Sequence, residues 1–181
     1  MACLECTAII LLQRNSRAPA QDGRAASKGV RTINELHGYY LEDLTVGMTD
    51  VFTKTVTETD IVTFAGISGD TNPVHLNKLF AQRTVFKERI AHGMLSASFI
   101  SAVLGTRLPG PGCIYLSQSL SFRSAVRIGD TVLARATVSD INLEKKRVSI
   151  QTVCMVDDRV AVEGEAELMV ARRPVEMQAA Q

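Results

Sequence analysis

The alternation of apolar and polar residues divides the chain into one early strand, a set of helices and a later series of strands. Residues 49–56, TDVFTKTV, alternate and are rich in β-branched side chains, which predicts a strand. Four further β-rich stretches lie at 114–122, 131–141, 147–156 and 160–170. Short turn-forming segments separate these stretches, so the sequence predicts antiparallel hairpins joined as a meander.

Three helices are predicted between the early strand and the later ones. Thr57 is expected to cap the first, with Glu58 and Asp60 in its first turn, where carboxylates complement the helix dipole. A short helix is predicted around 77–82, and a longer one at 93–106 that is apolar on nearly all sides, as is typical of a buried helix. One buried helix and roughly five antiparallel strands predict an α+β domain in which the sheet curls around that helix.

The first 31 residues differ in composition from the rest. They contain five basic and two acidic residues, a balance of +3, and a short apolar run, CTAIILL, precedes the basic residues. A secretory signal has its positive charge ahead of the apolar run, and this run is too short to span a membrane. We therefore expect residues 1–31 to be a disordered extension or the product of a start codon placed too far upstream, with an organellar transit peptide as the alternative. A domain at 32–172 and a tail at 173–181 follow.

Charge and cysteine content argue against several classes of function. The formal net charge is +1 and the chain has no basic stripe, so nothing indicates a nucleic-acid surface. Cys3 and Cys6 form a C-x-x-C pair that has no second pair or nearby histidine to complete a metal site. Cys113 and Cys154 are expected to be small buried hydrophobes in a reducing compartment. We predict no metal and no membrane association, and a cytoplasmic location, or the mitochondrial matrix if 1–31 is a transit peptide.

The segment GDTNPVHLN at 69–77 combines an irregular backbone with reactive side chains. Pro73 disfavours a helical conformation at Asn72, so an extended or turned segment is predicted here rather than a continuing helix. A loop fixed in this way can turn the side chains of Asp70 and His75 toward one bound water. A carboxylate and an imidazole that share a water can take a proton from it and deliver a proton to a neighbouring carbon.

Three motifs, in this order, resemble the MaoC-like family of (R)-specific enoyl-CoA hydratases. They are FAGISGDTNPVHLNKLFA at 64–81, RIAHGMLSAS at 89–98 and LPGPGCIYLSQSLSF at 108–122. With the opening GYYLEDLTVG, the resemblance runs from residue 38 to residue 172. It implies a hot-dog fold, an antiparallel sheet wrapped around a central helix. It also implies hydration of trans-2-enoyl-CoA to (R)-3-hydroxyacyl-CoA, with no cofactor and with an acyl-CoA thioester as the substrate.

The resemblance also implies roles for five residues. Asp70 and His75 would act on the water, and the sequence does not reveal which of them is the acid and which is the base. The N–H of Gly93, at the start of the long helix, would bind the oxyanion that forms on the thioester carbonyl. Asn72 and Ser101 are expected to contact the substrate or to support the catalytic groups.

Three further residues near these motifs carry less specific expectations. His92 is expected to contribute backbone position rather than chemistry. Arg123 and Arg127 are candidates for contacting the phosphates of CoA, without an assigned position.

The open edge of a hot-dog sheet further predicts a homodimer.

Three alternatives to an enoyl-CoA hydratase remain open at the level of the sequence. The same site acting on acyl-carrier-protein thioesters would be a dehydratase of fatty acid synthesis. A hot-dog thioesterase usually has a carboxylate on the central helix, and residues 93–106 contain neither Asp nor Glu. A non-catalytic acyl-CoA-binding module would not need the Asp–His pair that this chain has.

Overall fold

A six-stranded antiparallel sheet wraps around one long helix in the computed structural model, which describes residues 36–174. The strands are β1 (Thr49–Thr55), β2 (Ile114–Gln118), β3 (Ser121–Phe122), β4 (Thr131–Asn142), β5 (Arg147–Val156) and β6 (Arg159–Met169). The helices are α1 (Glu58–Ser68), α2 (Pro73–Leu76), α3 (Lys78–Gln82) and α4 (Gly93–Thr106), with a short 3-10 helix at Leu41–Asp43. The expectations for residues 1–31, including Cys3 and Cys6, lie outside the described residues.

The strand order is β1-β4-β5-β6-β2, with β3 also paired to β6. The hairpins β4–β5 and β5–β6 confirm part of the predicted meander, but the placement of the stretch 114–122 was wrong. The stretch pairs with β6 at the other end of the sheet, because β1 occupies the edge of β4 that faces away from β5. Strands β1 and β4 pair in register from Thr49 opposite Thr137 to Thr55 opposite Thr131. The stretch 114–122 also forms two strands instead of one.

A local helix, α2, replaces the turned segment that was predicted around Pro73. Asn72 keeps the non-helical backbone expected before a proline (φ −52°, ψ 127°), and its Oδ1 accepts a hydrogen bond from the N–H of Val74 at 3.2 Å. Proline is favourable at the first position of a helix, where its missing N–H costs nothing. Pro73 therefore ends one segment and begins the next, and it places His75 on a short helix instead of a loop.

Helix α4 fills the concave face of the sheet and packs against β1, β4, β5 and β6. Its buried apolar side chains are Leu95, Ala97, Phe99, Ile100, Val103 and Leu104. This arrangement is the hot-dog fold that the resemblance implies. One stripe of α4, which includes Met94, Ser98 and Ser101, is exposed in the single chain, so the helix is not buried on all sides. Among residues 36–174, no helix combines the length and hydropathy needed to cross a membrane.

Candidate active site

Asp70 lies in a turn that its neighbours build at the end of α1. The helix stops at Gly69, whose φ of 76° lies in the left-handed region that glycine adopts without strain. One carboxylate oxygen of Asp70, Oδ1, accepts a hydrogen bond from the N–H of Asn72 at 3.2 Å. The side chain is about half exposed (52%), so its second oxygen, Oδ2, remains available at the mouth of a cleft.

His75 is buried, and one hydrogen bond fixes the tautomer of its ring. Its Nδ1 lies 2.9 Å from the backbone carbonyl oxygen of Ile90. Because a carbonyl oxygen can only accept, Nδ1 must carry the proton, and Nε2 of the neutral ring carries a lone pair. That Nε2 lies 4.0 Å from Oδ2 of Asp70, beyond hydrogen-bonding range. The two acceptors are therefore spaced so that one water can donate a hydrogen to each.

Gly93 brings a hydrogen-bond donor to the same place. It is the first residue of α4, where a backbone N–H has no acceptor within the helix and the helix dipole favours negative charge. Asp70, His75 and Gly93 line one cleft of about 510 Å³, which we call the Asp70 cleft. Its remaining walls are mainly apolar and include Phe86, Phe122, Val126 and Val162. The three predicted catalytic residues thus lie together, although they come from three different segments.

The other predicted site residues occupy different positions. Asn72 is exposed and caps α2, and it is not among the residues that line the Asp70 cleft. Ser101 lines a second cleft of about 540 Å³, the Ser101 cleft, together with Tyr115 and Gln118. Met94 lines both clefts, so the two are neighbours along the exposed stripe of α4.

The two candidate arginines also differ in position. Arg123 lies on the wall of the Asp70 cleft and forms an ion pair with Glu163 at 2.8 Å. Arg127 forms an ion pair with Glu88 and is not among the residues that line the cleft. Arg123 is therefore better placed than Arg127 to meet an anionic part of a ligand.

His92 forms part of the floor of the Asp70 cleft, with ring contacts that the sequence did not indicate. Its Nε2 donates to the backbone oxygen of Asp70 at 2.9 Å, and its ring centroid lies 3.8 Å from that of His75. One possible ligand atom from each of Asp70, His75 and His92 lies within 4.8 Å of the other two, so the cluster could hold a metal ion. The rings of His75 and His92 have four nitrogens, and two of these already bond backbone carbonyl oxygens. A metal ion would therefore bind the other two nitrogens or displace one of these hydrogen bonds.

A thiolate nucleophile does not fit the described part of the chain. Cys154 is fully buried, and burial raises the pKa of its thiol to about 12. Cys113 is only partly buried, contrary to the prediction, and this partial burial also raises the pKa of its thiol. At neutral pH both side chains therefore stay protonated, as expected for small residues that fill space. The candidates for chemistry in the Asp70 cleft remain the carboxylate, the imidazole and the N–H at the start of α4.

Phe122 restricts the space beside Gly93, a constraint that could not be read from the sequence. A Cβ atom added at Gly93 would lie 2.7 Å from two ring carbons of Phe122, well inside van der Waals contact. The glycine therefore allows the ring and a ligand carbonyl to approach the same helix end. The strand pattern predicted Phe122 only as the last residue of a strand.

Replacing Gly93 by Ala is expected to lower kcat/KM about tenfold to a hundredfold, because the added methyl group and the Phe122 ring would overlap beside the start of α4. Steady-state kinetics on the expected enoyl-CoA substrate measure the effect. Gly105→Ala is the matched control, since a Cβ there meets nothing within 4 Å on the same helix. Adding Phe122→Leu to Gly93→Ala should restore part of the activity. Wild-type activity in Gly93→Ala alone would show that close approach is not required.

Comparison with known proteins shows what this chain is similar to. The model of the MaoC like domain family matches residues 45–163. An (R)-specific enoyl-CoA hydratase of Rhodospirillum rubrum is 58% identical, over 78% of this chain and 99% of that protein. A 3-hydroxybutyryl-CoA dehydratase of Methylorubrum extorquens is 49% identical, over 78% and 90%. The solved structure of R-hydratase PhaJ1 from Pseudomonas aeruginosa has a TM-score of 0.70 and 43% identity, over 74% of this chain and 86% of that one.

Proposed function

The chain belongs to the MaoC-like domain family, and from this membership we propose that it is an (R)-specific enoyl-CoA hydratase. The reaction adds water to a trans-2-enoyl-CoA to give (R)-3-hydroxyacyl-CoA, and it is reversible. One observation carries the proposal: Nε2 of His75 and Oδ2 of Asp70 lie 4.0 Å apart, in one cleft with the N–H of Gly93. The names of the similar proteins support the substrate class and the stereochemistry.

The first step is the orientation of the attacking water. Asp70 Oδ2 and Nε2 of neutral His75 are both acceptors, so a water between them donates both hydrogens and turns a lone pair away from the pair. A thioester whose carbonyl oxygen accepts from the N–H of Gly93 presents its C3 carbon to that lone pair. Holding the reactants in this geometry removes much of the entropic barrier to the addition.

The second step consists of the attack of the water oxygen on C3 and two proton transfers. The water oxygen bonds to C3, its proton passes to the Asp70–His75 pair, and the π electrons of the C2–C3 double bond move toward the carbonyl. The negative charge on the thioester oxygen is stabilised by the N–H of Gly93 and by the dipole of α4. C2 then takes a proton from the pair, which returns to its starting state. The sum is the addition of one water, with no redox change.

The assay that tests the function follows hydration of crotonyl-CoA and longer trans-2-enoyl-CoA substrates, with chiral analysis of the product. We expect turnover to give the (R) product and to survive EDTA, because the proposed steps use proton transfers alone. A parallel assay with an enoyl thioester of acyl carrier protein separates the hydratase from a fatty acid synthesis dehydratase. Release of free thiol from saturated acyl-CoA without hydration would instead support a thioesterase, and inertness on every enoyl-CoA would refute the proposal.

The homodimer is part of the same proposal. Strand β2 lies at one end of the sheet order, and Ile114, Tyr115 and Leu116 on it are more than a third exposed. The exposed stripe of α4 and the Ser101 cleft lie next to this strand. A second copy placed there would cover apolar area and protect an open strand edge.

Replacing Leu116 by Glu is expected to convert the dimer into a monomer, because a carboxylate would be buried at the covered edge without a partner. Multi-angle light scattering at micromolar concentration measures the mass of both proteins. Leu143→Glu is the control, since Leu143 is also exposed (56%, against 39% for Leu116) but lies in the turn between β4 and β5. A monomeric wild-type chain would contradict the proposed assembly.

The compartment proposed for this activity is the cytoplasm, with the mitochondrial matrix as the alternative. The thiols of Cys113 and Cys154 are free, and free thiols persist in either reducing compartment. Fluorescent fusion of the full chain in its native cell distinguishes the two. Export from the cell would contradict both.

A further inference from the structure

We propose that His92 is a positioning residue that holds the catalytic pair in place relative to the oxyanion site. This inference rests on the proposed hydratase function, since it concerns how that site is kept in its reactive geometry. It assigns the side chain of His92 a role beyond the backbone position expected for it. The residue acts through Asp70 and His75 and does not itself need to touch the substrate.

The first link is a hydrogen bond across the cleft floor. Nε2 of His92 donates to the backbone carbonyl oxygen of Asp70 at 2.9 Å, joining two segments 22 residues apart. Because the carbonyl can only accept, Nε2 carries the proton of the neutral ring. The backbone of Asp70 is otherwise held by the short turn that follows α1. The imidazole N–H of His92 therefore fixes the turn from which the catalytic carboxylate projects.

The second link is the contact between the two imidazole rings. The centroids of His92 and His75 are 3.8 Å apart with an interplanar angle of 30°, and the ring of Phe64 lies 5.0 Å from that of His92. His75 is held at its other end by the carbonyl oxygen of Ile90. Residues 90–93 therefore contact both members of the catalytic pair and also supply the N–H of Gly93, so this short segment connects all three reacting groups.

A third observation separates this role from ordinary packing. His92 is 1% exposed, and its Nδ1 is a buried acceptor without a hydrogen-bond partner among the described residues. An unsatisfied buried acceptor destabilises a folded protein, so an apolar side chain would serve stability better at this position. The histidine is favoured here by what its Nε2–H and its ring do for Asp70 and His75.

The test compares His92→Gln with His92→Asn. The amide nitrogen of glutamine reaches about as far as Nε2 of histidine, whereas that of asparagine reaches only as far as Nδ1. We expect His92→Asn to lower kcat about a hundredfold with KM changed less than about threefold, because the pair loses its alignment but the substrate pocket stays. His92→Gln should retain kcat within about tenfold of the wild type, since it can still donate to Asp70.

A second readout does not depend on turnover. Hydrogen exchange of the peptide covering 69–77 should be faster in His92→Asn than in His92→Gln or the wild type, because the turn at Asp70 is released. The matched control is His37→Gln, in which the amide nitrogen takes the position of Nε2 and the bond made by Nδ1 is lost. His37 also stacks on an aromatic ring, that of Tyr40 at 4.1 Å, and its Nδ1 lies 3.1 Å from a backbone carbonyl oxygen, yet it lines neither cleft.

The outcomes separate this inference from the function on which it rests. Equal loss of kcat in the Gln and Asn variants, or no loss in either while the wild type is active, would overturn the positioning role. Equal exchange in the two variants would also overturn it. A wild type that hydrates no enoyl-CoA would refute the proposed function, and the exchange experiment would still decide whether His92 holds the Asp70 turn.

Discussion

Replacing Asp70 by Asn is expected to lower kcat for enoyl-CoA hydration by about three orders of magnitude, with little change in KM. The amide keeps the size of the side chain, and its oxygen can still accept from the N–H of Asn72. It loses the carboxylate that faces Nε2 of His75 and that we propose takes part with His75 in accepting the proton of the water. Loss of the enoyl thioester absorbance measures the rate, and circular dichroism measures the fold.

The fold of the Asp70→Asn variant should be unchanged, because the side chain is half exposed and an amide at the same position is still solvated by water. Asp140→Asn is the matched control: it removes the same charge from an exposed position on β4 that does not line the Asp70 cleft. Its activity should equal that of the wild type. A kcat within a few-fold of wild type in Asp70→Asn would remove Asp70 from the proton-transfer step.

The bounds of α4 and the β4–β5–β6 hairpins could be predicted because their signals are local. Residues 93–106 are apolar and rich in helix-forming residues, and they are followed by the turn PGPG, so the predicted and observed helix have the same ends. The three last strands alternate and are joined by two-residue to four-residue turns. In each case neighbouring residues determine the outcome.

The partner of the stretch 114–122 could not be predicted because it depends on a strand more than sixty residues earlier. β1 pairs with β4, so β2 and β3 must pair elsewhere, and β6 presents its other edge. The break at Ser119 has a similar origin, since its backbone passes so close to Gly164 on β6 that no side chain fits there. Competition between strands and a close approach of two backbones do not change the alternation of apolar and polar residues within one strand. Neither can therefore be predicted from that alternation.

The candidate site shows the same division between local and distant causes. Asp70, His75 and Gly93 could be selected because their motifs lie in short segments, and the structure places all three in one cleft. The contact of Phe122 with Gly93 requires β3 to pair with β6, and the ring contacts of His92 require α1, α2 and α4 to meet. Those contacts exist only after the segments pack, so the sequence indicated the proposed reacting groups better than the residues that contact them.

Replacing His75 by Gln is expected to lower kcat by about two to three orders of magnitude. The glutamine amide takes the position of Nε2, and neither its nitrogen nor its oxygen is basic enough to take up the proton of the water. The variant also loses the bond between Nδ1 and the oxygen of Ile90, which should lower the free energy of unfolding by about 1 kcal/mol. Urea denaturation measures the second effect, and His37→Gln controls for the loss of a ring that bonds a backbone carbonyl.

The double variant Asp70→Asn/His75→Gln tests whether the two side chains act on one water. If they share it, either single change already breaks the pair that the water needs, and the second change adds little. The double variant should therefore be no more than about tenfold slower than the slower single variant, as for catalytic groups that work as a unit. A loss equal to the product of the two single losses would mean that Asp70 and His75 act independently, and it would contradict the proposal that one water lies between the two groups, which are 4.0 Å apart.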